Sequence, residues 1–192
     1  MLFSNDPYGR NLWGVPPQGC ADYAFQQHIQ KSLNTSNGRS ISLWPHGVLF
    51  RDSEAEIRSK MIEEDLVECV IGLGPNLFYN SPMEACLLIT KTNKSENKKG
   101  KVLFINAVKE VKQDKNIAFL EQQHIDKIYT IYKNFSEESE IAKIVSNEKL
   151  LENKGSLNIA QFLSNVDKSA PELSVNEALD AWNEQSSSLK DS

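Results

Sequence analysis

The apolar positions of this chain change period along its length, and the changes mark out its elements. Between Asp22 and Leu33 the residues Phe25, His28, Ile29 and Leu33 recur at spacings of three and four, which gathers them on one face of a helix. Asn37 and Gly38 end that segment, and Arg39 to Trp44 is a short β-prone run stopped by Pro45. Ser53 followed by Glu56 has the spacing of a capping box and predicts a helix ending near Glu64. Leu66 to Leu73 is nearly continuous in apolar character, as a strand covered on both faces requires. A turn-rich loop from Gly74 to Pro82 leads to Ala85–Thr90, then the polar stretch Lys91–Gly100, then Val102–Asn106. Two strands joined by a hydrophilic loop read as a hairpin.

Helix, strand, helix, strand, then strands without intervening helices, is the order of a parallel α/β sheet finished by antiparallel strands at one edge. Downstream, Ile125, Ile128, Tyr129, Ile131, Tyr132 and Phe135 form one stripe of a second amphipathic helix between Phe119 and Phe135. Ile141–Val145 has the character of a short strand, and Ser146 is placed to cap a brief helix toward Asn153. Near the end, Ser174 with Glu177 opens a helix whose apolar positions are Val175, Ala178, Leu179 and Trp182; such a segment docks back on its own domain or binds another chain. The first twenty residues hold three prolines and three glycines and read as a loop, although Phe3, Tyr8, Leu12 and Trp13 within it need an apolar surface to rest on.

Composition narrows the functional classes. A chain of 192 residues with 40% hydrophobic content buries a core of one domain, with or without a tail. A formal charge of -5 excludes a broad cationic face, so any nucleic-acid contact is local or shared with a partner. Lys94, Lys98, Lys99 and Lys101 make one loop basic; they contact phosphate or simply solvate that loop, and Lys98 and Lys99 are the candidates for DNA contact. Cys20, Cys69 and Cys86 are widely spaced and read as reduced thiols, and with scattered histidines they predict no metal site. No apolar run reaches the roughly twenty residues of a membrane span and no secretory signal is evident, so the expected location is the cytoplasm.

Taken in order, Gly14-Val15-Pro16-Pro17, Ala21-Asp22-Tyr23-Ala24-Phe25, Pro45-His46-Gly47-Val48-Leu49-Phe50-Arg51, Val70-Ile71-Gly72-Leu73 and Asn76-Leu77-Phe78-Tyr79 resemble the modification subunit of type I restriction-modification systems. The resemblance continues through Gly100-Lys101-Val102-Leu103-Phe104-Ile105-Asn106-Ala107 and weakly at Ser156-Leu157-Asn158-Ile159, reaching about Phe162. It implies an α/β fold, an incomplete doubly wound methyltransferase-type (Rossmann-like) sheet, mostly parallel with antiparallel edge strands, plus a carboxyl-terminal helical region. The implied divisions are 1–115 as the carboxyl-terminal half of a catalytic domain, 116–165 as a helical extension and 166–192 as a tail with a docking helix.

The activity so implied is transfer of a methyl group from S-adenosylmethionine to the exocyclic nitrogen of adenine in DNA, with specificity and restriction subunits as partners. The adenine must leave the base stack, at a cost of a few kcal/mol, and be held in a pocket. By resemblance Phe78 is the ring on which it stacks, with Tyr79 as the alternative; from the residues alone either ring simply covers the end of the sheet. His46, where a strand gives way to a loop, is a candidate for contact with DNA or the base, or else a polar loop residue fixed by Pro45 and Gly47. Pro82-Met83-Glu84 and Trp44 depart from the family's pattern and put the shape of the adenine pocket in doubt. Two elements of the family have no counterpart in the chain: the glycine-rich turn that receives the methyl donor, and Asn-Pro-Pro followed by an aromatic. Asn5-Asp6-Pro7-Tyr8 is broken by Asp6, and Gly72-Leu73-Gly74 leads into Pro75 instead of a helix. The expectation is therefore a chain that joins a separate amino-terminal half, binds no donor by itself, is inactive alone, and exposes a strand edge and an apolar helix face.

Overall fold

The computed structural model describes residues 5–79, 81–114 and 117–163. Helix α1 (Asp22–Ser32), strand β1 (Arg39–Pro45), helix α2 (Ala55–Glu63) and strands β2 (Val67–Leu73), β3 (Ala85–Lys91) and β4 (Lys101–Ala107) follow one another. After them come β5 (Lys112–Asp114), β6 (Ile117–Phe119), α3 (Gln122–Asn134), β7 (Ala142–Ser146), α4 (Asn147–Glu152) and α5 (Ile159–Leu163). Five strands form one sheet in the order β1-β3-β2-β4-β7, and β5 pairs with β6 in a separate ribbon. β2 and β4 are parallel, whereas β1 with β3, β3 with β2, and β4 with β7 are antiparallel.

The mixed α/β sheet and its antiparallel edges match the expectation, but the expected hairpin is corrected. β3 is inserted between β1 and β2, and β2 separates it from β4, so the loop 92–100 crosses over a strand instead of turning back. Only one of the sheet's pairings among the described residues is parallel, a smaller share than expected, because β3 enters the sheet against the direction of both neighbours. Local pattern cannot reveal this, since a nine-residue polar loop suits a hairpin and a crossover over one strand equally well.

Alternation on the strands divides the core in two. Val70, Leu88, Phe104 and Val145 face α1, α2, α4 and α5 together with Trp13. Cys69, Ile71, Ile89, Leu103 and Ile105 face α3, which meets them with Ile131, and Phe135 just past its end joins the same cluster. β2 is buried along its whole length, as its unbroken apolar run predicts. The face of α1 is a correction. Phe25 is 58% exposed, while Tyr23, Gln26, Gln27 and Gln30 are buried. Glutamines go inside because each finds partners there. Ser42 and the Trp44 indole both donate to Gln26 Oε1, at 2.8 and 3.0 Å. Gln27 accepts from the Trp13 backbone N–H at 2.7 Å and donates to the Gly14 carbonyl at 3.0 Å, and the Thr90 hydroxyl donates to Gln30. The same contacts fasten the opening loop, so Trp13 is buried while Tyr8 and Leu12 remain exposed.

The Ser53/Glu56 capping box does not form. A 3-10 turn over Asp52–Glu54 leads into α2, and Glu54 is buried against Arg51. Ser146, by contrast, caps α4 as expected, accepting from the Lys149 backbone N–H. The docking helix expected at Ser174–Trp182 lies outside the described residues.

Candidate functional site

β1, β2 and β4 end, and β3 begins, along one edge of the sheet, where ligands of open α/β folds collect. Three loops meet there: 46–54, 74–84 and the β5–β6 ribbon. The second is shaped by its own residues. A Cβ on Gly74 would lie 2.6 Å from the Val108 carbonyl oxygen, so only glycine allows that approach. Asn76 then takes a positive φ of 60°, which its short amide side chain tolerates, and its carbonyl accepts from the Ala118 backbone N–H at 3.0 Å. Leu77 packs on the core below, and Phe78 and Tyr79 are carried outward.

Phe78 is 36% exposed and Tyr79 has no cover at all. With Asn76, Ser81, Pro82 and Ile117 they line an open hollow of about 480 Å³. Phe78 is tied on its backbone to Ser81, so it is the better anchored of the two rings. The ribbon that supplies Ile117 was not foreseen, because strands of three residues, one of them Lys-Gln-Asp, carry no usable alternation. Lys112 of that ribbon pairs with Glu121 and, by hydrogen bonding to it, holds its carboxyl below the usual carboxylate range.

His46 stands beside this loop but its ring is occupied. Its Nε2 lies 2.8 Å from the Ala85 carbonyl oxygen, its Nδ1 faces Glu84 Oε2 at 3.4 Å, and the ring sits over Gly72. It therefore pins the end of the 74–84 loop to β1. Around it the quoted sequence segments touch. The Tyr23 hydroxyl donates to the Val48 carbonyl, Asp22 pairs with Arg51, the Leu157 N–H donates to the Leu49 carbonyl, and a Cβ on Gly72 would lie 2.7 Å from Ile159 Cδ1. Burial pushes the Glu54 carboxyl up, while its partner Arg51 opposes the shift.

Lys98 and Lys99 are at the other end of the sheet. They precede β4, and a seven-residue strand separates them from the Phe78 edge by about 20 Å. Lys98 reaches Glu68 at 3.2 Å and lies over the rings of Tyr132 and Phe135, and Lys99 pairs with Glu96. The structure thus brings together Phe78, Tyr79 and His46, and separates Lys98 and Lys99 from them. Lys109, just beyond β4, is an exposed cation on the Phe78 edge.

The fold agrees with known proteins. The family model described as N-6 DNA Methylase matches residues 2–170. The chain belongs to that family. A type I restriction enzyme methylase subunit of Methanocaldococcus jannaschii, MjaVIII, is 34% identical over 161 residues, which is 82% of this chain and 27% of that protein. The HindI methylase subunit of Haemophilus influenzae is 39% identical over 106 residues. The crystal structure of a type I methyltransferase subunit from Streptococcus thermophilus superposes with a TM-score of 0.76 at 34% identity, over 84% of this chain and 34% of that one. The EcoKI M protein, at 16% identity and a TM-score of 0.61, shares the fold. The chain spans about a quarter of the length of the curated relatives it matches.

N-6 DNA methylases imply a methyl donor, and the described residues offer it no cradle. The glycines after β2 are filled from within: Gly72 meets Ile159 and His46, and Gly74 meets the Val108 carbonyl. A nucleoside-binding turn needs the reverse, an open glycine backbone leading into a helix N-terminus. S-adenosylmethionine does not fit these positions.

Proposed function

We propose that this chain is the part of a type I DNA adenine N6-methyltransferase that receives the target base, with Phe78 as the stacking ring and Tyr79 second to it. One observation carries the reading: two exposed aromatic rings border a hollow at the strand ends, held out by Gly74, Asn76 and His46. A planar face restores part of what leaving the duplex costs, about 1 to 3 kcal/mol per base. His46 acts as a positioning residue, and Lys109 is better placed than Lys98 or Lys99 to meet phosphate on that edge. Residues 1–115 are half of the catalytic domain, 116–165 its extension, and 166–192 a tail for assembly with the specificity and restriction subunits in the cytoplasm.

The outer edge of β1 supports an additional reading, in which the chain joins a donor-binding amino-terminal half. Among the described residues β1 pairs with β3 alone, and Ile41 and Leu43 beside that edge are 57% and 47% exposed. The chain by itself then neither binds S-adenosylmethionine nor methylates DNA. Isothermal titration tests this, and micromolar binding of S-adenosylmethionine by the isolated chain refutes it. The stacking role is tested in an assembled methyltransferase containing this segment. Phe78→Ala is expected to lower N6-methyladenine formation by about 5- to 150-fold, the factor equivalent to one lost stack, and Phe78→Trp to retain most of it. Equal rates for Phe78→Ala and the parent enzyme exclude Phe78 from the base pocket.

A further inference from the structure

The hollow at the Phe78 edge is lined by polar groups as well as rings. Leu77 packs on the core beneath, its neighbours Asn76 and Phe78 both line the hollow, and Ser81 joins them from across the turn. A volume of about 480 Å³ is within the range of sites that take a small organic ligand. Asn76 and Ser81 are half-buried, yet among the described residues neither the carboxamide nor the hydroxyl has a hydrogen-bond partner. Gln27 is the contrast, since its amide accepts from the Trp13 N–H and donates to the Gly14 carbonyl. The two unpartnered groups differ in what they tell apart. A hydroxyl rotates to donate or accept as its neighbour requires, whereas a carboxamide carries donor and acceptor at separate ends.

The backbone of Asn76 is fixed from both sides. Its carbonyl accepts from the Ala118 N–H at 3.0 Å, Gly74 before it lies against the Val108 carbonyl, and Leu77 after it is anchored in the core. A donor positioned before its ligand arrives loses little freedom on binding. Asn76 precedes Phe78 by two residues, so their Cα atoms are at most about 7 Å apart. A base stacked on the Phe78 ring is then within reach of the Asn76 side chain. In an adenine joined to its sugar, N1, N3 and N7 are acceptors, and the one polar donor is the amine that takes the methyl group. The Nδ2 donor of a carboxamide matches such a ring nitrogen and leaves the reacting amine free.

We infer that Asn76 reads the extrahelical adenine, its Nδ2 donating to one ring nitrogen of the base stacked on Phe78. The inference rests on the base-stacking reading and adds to it the residue that recognises the edge of the base.

A positive φ of 60° gives Asn76 a purely structural reason to be asparagine, and two substitutions separate the two roles. Glycine adopts that φ without strain, so Asn76→Gly keeps the turn and deletes the carboxamide. Asn76→Asp keeps the shape and replaces the donor by an anion. Single-turnover formation of N6-methyladenine is measured in the assembled methyltransferase containing this segment, with adenine at the target position of the DNA. Asn76→Gly is expected to slow it about 3- to 10-fold, the factor for one neutral hydrogen bond, and Asn76→Asp to slow it further. The same assay is then run with 1-deaza-, 3-deaza- or 7-deazaadenine in place of the target adenine. One of the three should slow the parent about 3- to 10-fold more than it slows Asn76→Gly, which names the nitrogen that Asn76 meets. Because each comparison sets two bases against one protein, a change in stability does not imitate it. A slow Phe78→Ala beside a parental rate in Asn76→Gly overturns this inference and leaves the stacking reading standing. Parental rates in both variants overturn both. Three deaza bases that slow the parent and Asn76→Gly equally also overturn the inference, since no bond to the base then depends on the carboxamide.

Discussion

Replacing Gly72 by alanine isolates the contact that joins two distant parts of the chain. The new Cβ would stand 2.7 Å from Ile159 Cδ1, about 1 Å inside ordinary carbon contact. Ile159 is buried, so its side chain cannot move into water, and overpacking of this kind costs about 1 to 3 kcal/mol. Alanine also restricts the unfolded chain, which returns about 0.5 kcal/mol at a position whose φ is ordinary. The net expectation is destabilisation by about 1 to 2 kcal/mol. Ile159→Val removes the very carbon that is struck and by itself costs about 0.5 to 1.5 kcal/mol. Because the valine leaves room for the alanine, the double variant should be little less stable than Ile159→Val alone. That is a favourable coupling of about 1 to 2 kcal/mol. Urea unfolding followed by far-ultraviolet circular dichroism measures all four corners of the cycle. Additivity within about 0.5 kcal/mol would mean the two residues do not share this space, and the placement of α5 against β2 would be wrong. Gly74→Ala is the control: its Cβ meets the Val108 backbone oxygen, so Ile159→Val should leave its cost unchanged.

Arg58→Met should cost about 1 to 3 kcal/mol in the same urea assay, because the buried guanidinium donates to the carbonyls of Gly155, Arg51 and Val48; Val48 keeps the Tyr23 hydroxyl and Arg51 the Glu54 N–H, so the loss falls mainly on Gly155. Lys98→Met should lower the thermal midpoint by the equivalent of about 2 kcal/mol, because it deprives the buried Glu68 of its cation. A residue serving only to touch phosphate would leave that midpoint unchanged, so an unaltered melt would return Lys98 to the DNA-contact candidates. Tyr132, partly buried and bonded to the Glu68 carboxylate, has its phenol pushed up to about 12 from an ordinary 10.0, with burial the larger cause. Between those values the folded chain keeps a proton that the unfolded chain releases, so stability falls as pH rises from 10 toward 12. In melts across that range Tyr132→Phe should flatten the fall, and an identical slope would mean the phenol titrates normally.

Elements with a strong local signal were legible in the sequence. The continuous apolar run of β2, the stripe of α3 and the Ser146 cap each name their structure without outside help. Features set by partners far along the chain were not. Nothing between Asp22 and Leu33 states that Gln26, Gln27 and Gln30 turn inward, because their burial depends on Ser42, Trp44, Trp13 and Thr90. The insertion of β3 between β1 and β2 is likewise a property of pairing, invisible to periodicity. For the candidate site, the resemblance pointed to Phe78 and the loop that holds it as an expectation, while Ile117, which lines the same hollow, comes from a ribbon too short to leave a pattern. The lysine-rich loop misled for a different reason: charge density in a sequence does not say at which end of a sheet it falls, nor that Glu68 is waiting for Lys98.

What the quoted segments share explains why such short strings identify a fold. Val-Ile-Gly-Leu by itself suits many strands. Yet Gly72 must lack a side chain for Ile159 to approach, and the His46 ring then rests beside it. Val48 and Leu49 offer carbonyls that Tyr23 and Leu157 use, and Arg51 answers Asp22. Several of these strings therefore meet one another in space, each supplying one side of a contact whose other side lies in another string. The segments gather around His46, which fixes the end of the loop bearing Phe78. The part of the sequence that identifies the family is therefore the scaffold of the aromatic loop, and the two rings at its tip, Phe78 and Tyr79, are free of that scaffold and available to a ligand.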